Sequence, residues 1–139
     1  MRLDREMDLP RPARPGDAGL DLLAVHDLHL EPAGGRGVVG TGLAIAVPFG
    51  CAGLVLPRSG LARNHGVTCL NAPGLIDAGY RGELQVLLVN TDPTLPYTVR
   101  RGDRIAQLVL MSFQPVTFVE VDSLDESERG VAGWGHSGR

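Results

Sequence analysis

The chain has 139 residues, a net charge of −3 and 43% hydrophobic residues, enough for one domain with a modest core. All 13 of its basic residues are arginine, which excludes lysine-dependent phosphate loops and Schiff-base chemistry. The acidic balance excludes bulk nucleic-acid binding, and no apolar run approaches the length of a membrane span. Only 4% of the chain is aromatic, so the interior must be built from Val, Leu, Ile and Ala. Its 19 Gly and 10 Pro are spread along the chain, a pattern that suits many short strands joined by tight turns. The absence of lysine and the scarcity of isoleucine point to a GC-rich bacterial genome.

Residues 1–16 are charged and proline-rich and read as an irregular lead or an edge strand. His26 and His29 lie three apart in strand-like sequence, so they face opposite sides and form no metal pair; surface positions are expected for both. Residues 38–47 alternate, with Val39, Thr41, Leu43, Ile45 and Val47 on one face and Gly40, Gly42, Ala44 and Ala46 on the other. Period two predicts a strand. The small face predicts close approach by another strand or another subunit.

Residues 51–56 form a second apolar run. The stretch 59–65 suits one short helical turn, with Ser59 as its N-cap. Residues 67–80 read as a hairpin: Val67 to Leu70 leads in, Asn71 to Gly74 turns at Pro73-Gly74, and Leu75 to Tyr80 leads out. Further strands are predicted at 83–90, 104–112 and 115–121, with a proline-bearing turn at 91–97. Cys51 and Cys69 lack metal-ligand spacing and no leader-like stretch precedes them, so two buried, reduced thiols in a cytoplasmic protein are expected. Residues 122–139 hold too few large apolar groups to pack a core. The class is all-β, a jelly roll or related sandwich, with one helical turn.

Five short stretches combine glycine with acidic, arginine, serine or aromatic residues. They are Asp17-Ala18-Gly19-Leu20-Asp21-Leu22, Leu56-Pro57-Arg58-Ser59-Gly60-Leu61-Ala62, Asn71-Ala72-Pro73-Gly74-Leu75-Ile76-Asp77-Ala78-Gly79-Tyr80-Arg81-Gly82-Glu83, Arg101-Gly102-Asp103-Arg104-Ile105-Ala106-Gln107-Leu108, and Arg129-Gly130-Val131-Ala132-Gly133-Trp134-Gly135-His136-Ser137-Gly138. Each alone has an ordinary explanation as a turn, a cap or a loop. Together and in this order they resemble the five motifs of the trimeric dUTPase family, from Asp17 to Gly138.

That resemblance implies a jelly-roll-like subunit spanning 1–128, a three-fold homotrimer, and active sites shared between chains. Residues 129–139 would form a C-terminal arm that closes over a neighbour's site. It implies hydrolysis of dUTP to dUMP and pyrophosphate, which limits uracil incorporation into DNA and supplies dUMP for dTMP synthesis. Asp77 would be the base that activates water for attack at the α-phosphorus. Tyr80 would pack against the deoxyribose, and Asn71 with its neighbouring backbone would read uracil.

Arg58, Ser59, Gly60 and Gln107 would contact phosphates. Arg129 would reach the γ-phosphate, Trp134 would stack on the base where the family has Phe, and Ser137 with Gly138 would complete the arm. Asp21 would approach Mg²⁺ through water. Asp103 reads as structural, pairing with an arginine or capping its turn. Ala132 departs from the family's glycine. Ser59 lacks the surroundings of a covalent nucleophile. A dCTP deaminase would need a catalytic glutamate where Leu87 stands. A non-catalytic nucleotide-binding trimer is disfavoured by the intact set Asp21, Ser59, Asp77, Tyr80, Gln107 and Arg129. The partners expected are therefore dUTP and further copies of the chain, with no nucleic acid and no membrane.

Overall fold

A computed structural model describes residues 1–127 and Gly130. Nine strands and one helix follow in chain order among these residues: β1 (Leu20–Leu23), β2 (Leu28–Leu30), β3 (Arg36–Gly40), β4 (Cys51–Leu56), α1 (Ser59–His65), β5 (Val67–Cys69), β6 (Gly74–Ile76), β7 (Gln85–Asn90), β8 (Tyr97–Val99) and β9 (Arg104–Ser112). Every pairing is antiparallel. The partners are nested: β1 with β9, β2 with β8, β3 with β7, β4 with β6. The chain is thus one long ribbon doubled back on itself. Contacts of β4 with β9 and β5 with β7 roll it up. The result is the all-β, jelly-roll-like subunit that the turn-rich composition predicted.

The core lies inside this roll. Leu22, Leu30, Val39, Val67, Leu88 and Val99 are wholly buried. Leu61 is the one residue of α1 buried in the core, which pins the helix to the sheets. Asn90, also wholly buried, donates from Nδ2 to Leu30 O (3.3 Å) and Leu95 O (2.9 Å) and accepts from Asp92 N (3.0 Å). It satisfies three backbone groups where β2, β7 and the loop before β8 converge.

Several local expectations change. The alternating run at 38–47 is strand only to Gly40. At Gly42 the chain takes a left-handed turn (φ +67°), and Thr41 and Leu43 then bond to Leu84. The small face does meet a close neighbour, but from the same chain. A Cβ on Gly42 would meet Asp4 and Val25, because Leu3 and Asp4 both donate to Gly42 O. The predicted hairpin at 67–80 is not a ladder. β5 pairs with β7 and β6 with β4, so its two arms enter different sheets. Residues 115–121 form no strand. Val116, Phe118, Val119 and Val121 are exposed, and alternation without a partner edge cannot satisfy a backbone ladder. Conversely, the turn at 91–97 runs directly into β8.

The two thiols are free and far from equivalent. Cys51 is half-buried, whereas burial pushes the Cys69 thiol up to about 11. His26 and His29 are both exposed, as expected.

Replacing Asn90 by Ala leaves buried backbone groups without partners. Chemical denaturation at fixed protein concentration should show a loss of about 2–3 kcal/mol. A loss below about 0.5 kcal/mol would mean that water substitutes for the amide.

Candidate functional site

The first half of the site is built across three strands in register. Asp21 on β1 stands opposite Gln107 on β9, and Gln107 stands opposite Leu56 on β4. Arg58 follows two residues later. Its Nε donates to Asp21 Oδ1 at 3.0 Å, and its Nη1 reaches Arg104 O at 3.4 Å. Gln107 Nε2 donates to the same Asp21 oxygen at 3.4 Å. Arg104 Nε lies 3.6 Å from Asp21 Oδ2. One carboxylate therefore orients two guanidiniums and an amide. Gly19 makes room for this, since a Cβ there would meet Gln107 Nε2 at 3.2 Å.

The Asp21 and Arg58 side chains are only 18% and 28% exposed, so the pair is screened less than a surface ion pair. With Leu61, Tyr97, Gly102 and Asp103, Arg58 and Arg104 line an open depression of about 400 Å³. The two guanidiniums bring several N–H donors to this surface, with the carboxylates of Asp21 and Asp103 beside them, and such donors suit phosphate oxygens.

Ser59 and Gly60 open α1 and are exposed. Ser59 is not the N-cap. That position belongs to Arg58 in extended conformation (φ −92°, ψ 125°), and no side chain caps the helix. The first-turn amides are thus left unclaimed by a cap, on the same side as Arg58. Asp103 behaves as expected, accepting from Arg100 N at 2.8 Å to close the turn before β9.

The second half is the segment from Asn71 to Glu83. Asn71 is exposed in the turn after β5; a cis Ala72–Pro73 bond follows, and Gly74 begins β6 packed against Val55. Asp77 stands exposed just past β6, and its carbonyl accepts from Tyr80 N at 3.0 Å. Its carboxylate enters none of the ion pairs among the described residues. The bend is braced by Arg81, whose Nη1 donates to Ala78 O and Tyr80 O, both at 2.7 Å. Tyr80 Oη donates to Glu83 O at 2.7 Å.

One subunit does not bring the halves together. The β4–β6 register places Ile76 opposite Gly53, so Asp77 lies beside Ala52. That is six positions before Arg58, roughly 20 Å of extended strand.

Arg104 is the residue the sequence reading missed. Strict alternation along β9 would set it on the opposite face from Gln107. A register irregularity between Leu22 and Leu23 brings it to Asp21, and no sequence pattern announces that shift. Arg129, Trp134, Ser137 and Gly138, with the rest of the expected arm except Gly130, lie outside the described residues.

Residues 5–138 match the family model described as dUTPase. The chain belongs to the dUTPase family. It is 56% identical over 137 residues to the deoxyuridine 5'-triphosphate nucleotidohydrolase of Thermobifida fusca, covering 99% of this chain and 76% of that protein. The corresponding protein of Rhodococcus erythropolis is 54% identical over 137 residues, covering 99% and 83%. Among solved structures, the dUTPase of Staphylococcus bacteriophage 80alpha with dUPNHPP superposes with a TM-score of 0.88 at 28% identity, covering 100% of this chain and 96% of that one. These matches agree with the five stretches found in the sequence, and Leu87, half-buried on β7, offers no proton-transferring group of the kind a deaminase needs.

The clamp at Asp21 can be checked directly. In NMR exchange measurements the Arg58 Nε proton should exchange slowly in the wild type and at least about ten-fold faster in Asp21→Ala, reflecting loss of a charge-assisted bond. Equal exchange in both proteins would show that Asp21 does not hold the guanidinium.

Proposed function

We propose that the chain hydrolyses dUTP to dUMP and pyrophosphate, with Asp77 activating the attacking water, at sites completed by three copies of the chain. The observation that carries this reading is the division of the site. A braced bend with a free carboxylate lies at one end of the β4–β6 ladder, and an arginine-lined depression lies beyond the other. A nucleotide needs both at once, so a second copy must supply the half that the first cannot. The exposed run Leu110, Met111, Phe113, Val116, Phe118 and Val119 supports association, because a lone subunit would leave this apolar surface in water.

In the proposed reaction the water oxygen bonds to the α-phosphorus. Its proton passes to Asp77, and the bond from the α-phosphorus to the bridging oxygen breaks. Pyrophosphate leaves on the opposite side. Most of the rate enhancement comes from positioning and from neutralising charge. Asn71 and the adjacent backbone pair with the uracil edge. Cytosine presents the opposite pattern at its exocyclic position and would leave buried groups unpaired, while the thymine methyl would strike the turn. Tyr80 lies against the sugar and excludes a 2′-hydroxyl. Arg58, Ser59, Gly60 and Gln107 hold the phosphates. The arm brings Arg129 to the γ-phosphate, stacks Trp134 on the base, and closes with Ser137 and Gly138.

The donor set fits Mg²⁺ only indirectly. No group of three or more His, Cys, Asp or Glu could hold a metal among the described residues, and Asp21 is already shared by two arginines. A Mg²⁺ arriving with the phosphates would keep its waters, one of them facing Asp21, and would offset negative charge on the leaving group. A cytoplasmic setting, with dUTP and sister subunits as partners, completes the reading.

Asp77→Asn should bind dUTP with near-normal affinity and release pyrophosphate about 10²–10⁴-fold more slowly, as read by a coupled phosphate assay. Near-normal turnover would refute the base assignment. Deleting residues 129–139 should depress turnover while sedimentation still reports a trimer. Loss of the trimer on deletion, or a stable and active wild-type monomer, would overturn the assembly.

A further inference from the structure

Tyr80 does not project freely from its bend. Its hydroxyl donates to Glu83 O at 2.7 Å, folding the ring back over the second of the two residues between them. That residue is Gly82, and the fit requires it. A Cβ there would lie 2.6 Å from Tyr80 Oη, 2.8 Å from Cζ and 3.2 Å from Cε2. Those spacings are far inside van der Waals contact, so any side chain would push the ring outward.

The carbonyl that receives the hydroxyl is itself fixed. Glu83 Oε1 accepts from Gly42 N at 2.8 Å and occupies the space that Gly40 leaves on β3. The next residue, Leu84, is buried and donates from its backbone to Leu43 O at 2.7 Å. Rigid support therefore runs from the core, through Leu84 and Glu83, to the phenol. At the other end of the residue, Tyr80 N bonds Asp77 O and Arg81 ties off Tyr80 O. Backbone and ring are both held, yet Tyr80 remains 41% exposed, with part of its ring open to a ligand.

We propose that Gly82 is a positioning residue that sets sugar discrimination: its missing side chain lets the Tyr80 ring lock onto Glu83 O, and the locked ring excludes ribonucleotides. This rests on the reading above, in which Tyr80 faces the sugar. The hydroxyl is spent on the anchor, so it does not donate to substrate. What the phenol contributes over phenylalanine is a fixed ring position. A ring free to swing would yield to a 2′-hydroxyl, and selectivity would fall although stacking area is unchanged.

The test compares kcat/KM for dUTP and UTP in the wild type, Gly82→Ala and Tyr80→Phe. Gly82 has no left-handed φ, so alanine strains only the ring. Both variants should lower the dUTP-to-UTP ratio by about ten-fold or more. The change should come chiefly from a lower KM for UTP, and in Gly82→Ala kcat for dUTP should stay within a few-fold of wild type. A purely structural role would depress both substrates together and leave the ratio intact. A Gly82→Ala enzyme with the wild-type ratio overturns the proposal. Should that variant fail to fold, judged by its melting profile, the Tyr80→Phe ratio decides in the same way. A wild type that consumes UTP as readily as dUTP would instead refute the placement of Tyr80 at the sugar.

Discussion

β9 is paired along both edges, to β1 through Leu20–Leu108 and to β4 through Val55–Leu108, and the cluster around Asp21 exists only because of that double pairing. Asp21 and Gln107 face each other on β1 and β9, and Arg58 emerges just beyond the end of β4. No two of these three residues are near in sequence. A one-residue slip of β9 would turn Gln107 to the other face and displace Arg104 with it, leaving Asp21 with Arg58 alone. The core fixes this register. Ile105, Ala106 and Leu108 are buried beside Leu22 and Val55, so a slip would also expose core side chains to water.

The same pairing explains why the Asp21 cluster and the Asp77 bend lie apart. β6 is the outer neighbour of β4 and runs antiparallel to it, so the end of β6 that carries Asp77 lies far from Arg58. Flexibility within the subunit cannot close that gap, because both segments continue rigid ladders. Association can. The proposed shared site would make activity conditional on assembly, and the fold keeps the Asp77 carboxylate away from its own subunit's Arg58. If Asp77 met Arg58 within one chain, the two would pair and neither would be available to substrate.

Much of this was legible in the sequence wherever the signal was local. The run at 51–56 and the stretch 104–112 carry enough residues to show their pattern, and both are strands at those bounds. The five glycine-bearing stretches named the family because motif order survives without any knowledge of pairing. The failures share one cause. β2, β5, β6 and β8 have three residues each, too few to display a period, and their partners lie far along the chain. The hairpin at 67–80 was reasonable from Pro73-Gly74, but nested topology sends its arms to different sheets. The run at 38–47 looked continuous because alternation cannot register a left-handed glycine at position 42. Arg104 escaped notice because an extra residue of β9, Ile105, in the pairing with β1 turns it toward Asp21.

The all-arginine composition also acquires a physical meaning in three dimensions. Each guanidinium offers several donors in one plane, and the fold draws on more than one bond at Arg58, Arg81 and Arg101. Arg58 holds Asp21 with Nε and Arg104 O with Nη1. Arg81 serves two carbonyls of the Asp77 bend. Arg101 reaches Asp4, Glu6 and Val25 O together, strapping the N-terminal segment over Gly42, and its bond holds the Asp4 carboxyl below the ordinary range. That strap lies behind the glycine whose amide binds Glu83, whose carbonyl in turn anchors Tyr80. A lysine in place of Arg58 or Arg101 would offer all its donors from one atom and could not span the same partners. The arginines that shape the backbone around the bend and the arginines that face the depression therefore do different work with the same chemistry. The first group spends its donors on the protein's own carbonyls and carboxylates. The second group gathers two cations on one acid, Asp21, at the edge of the depression.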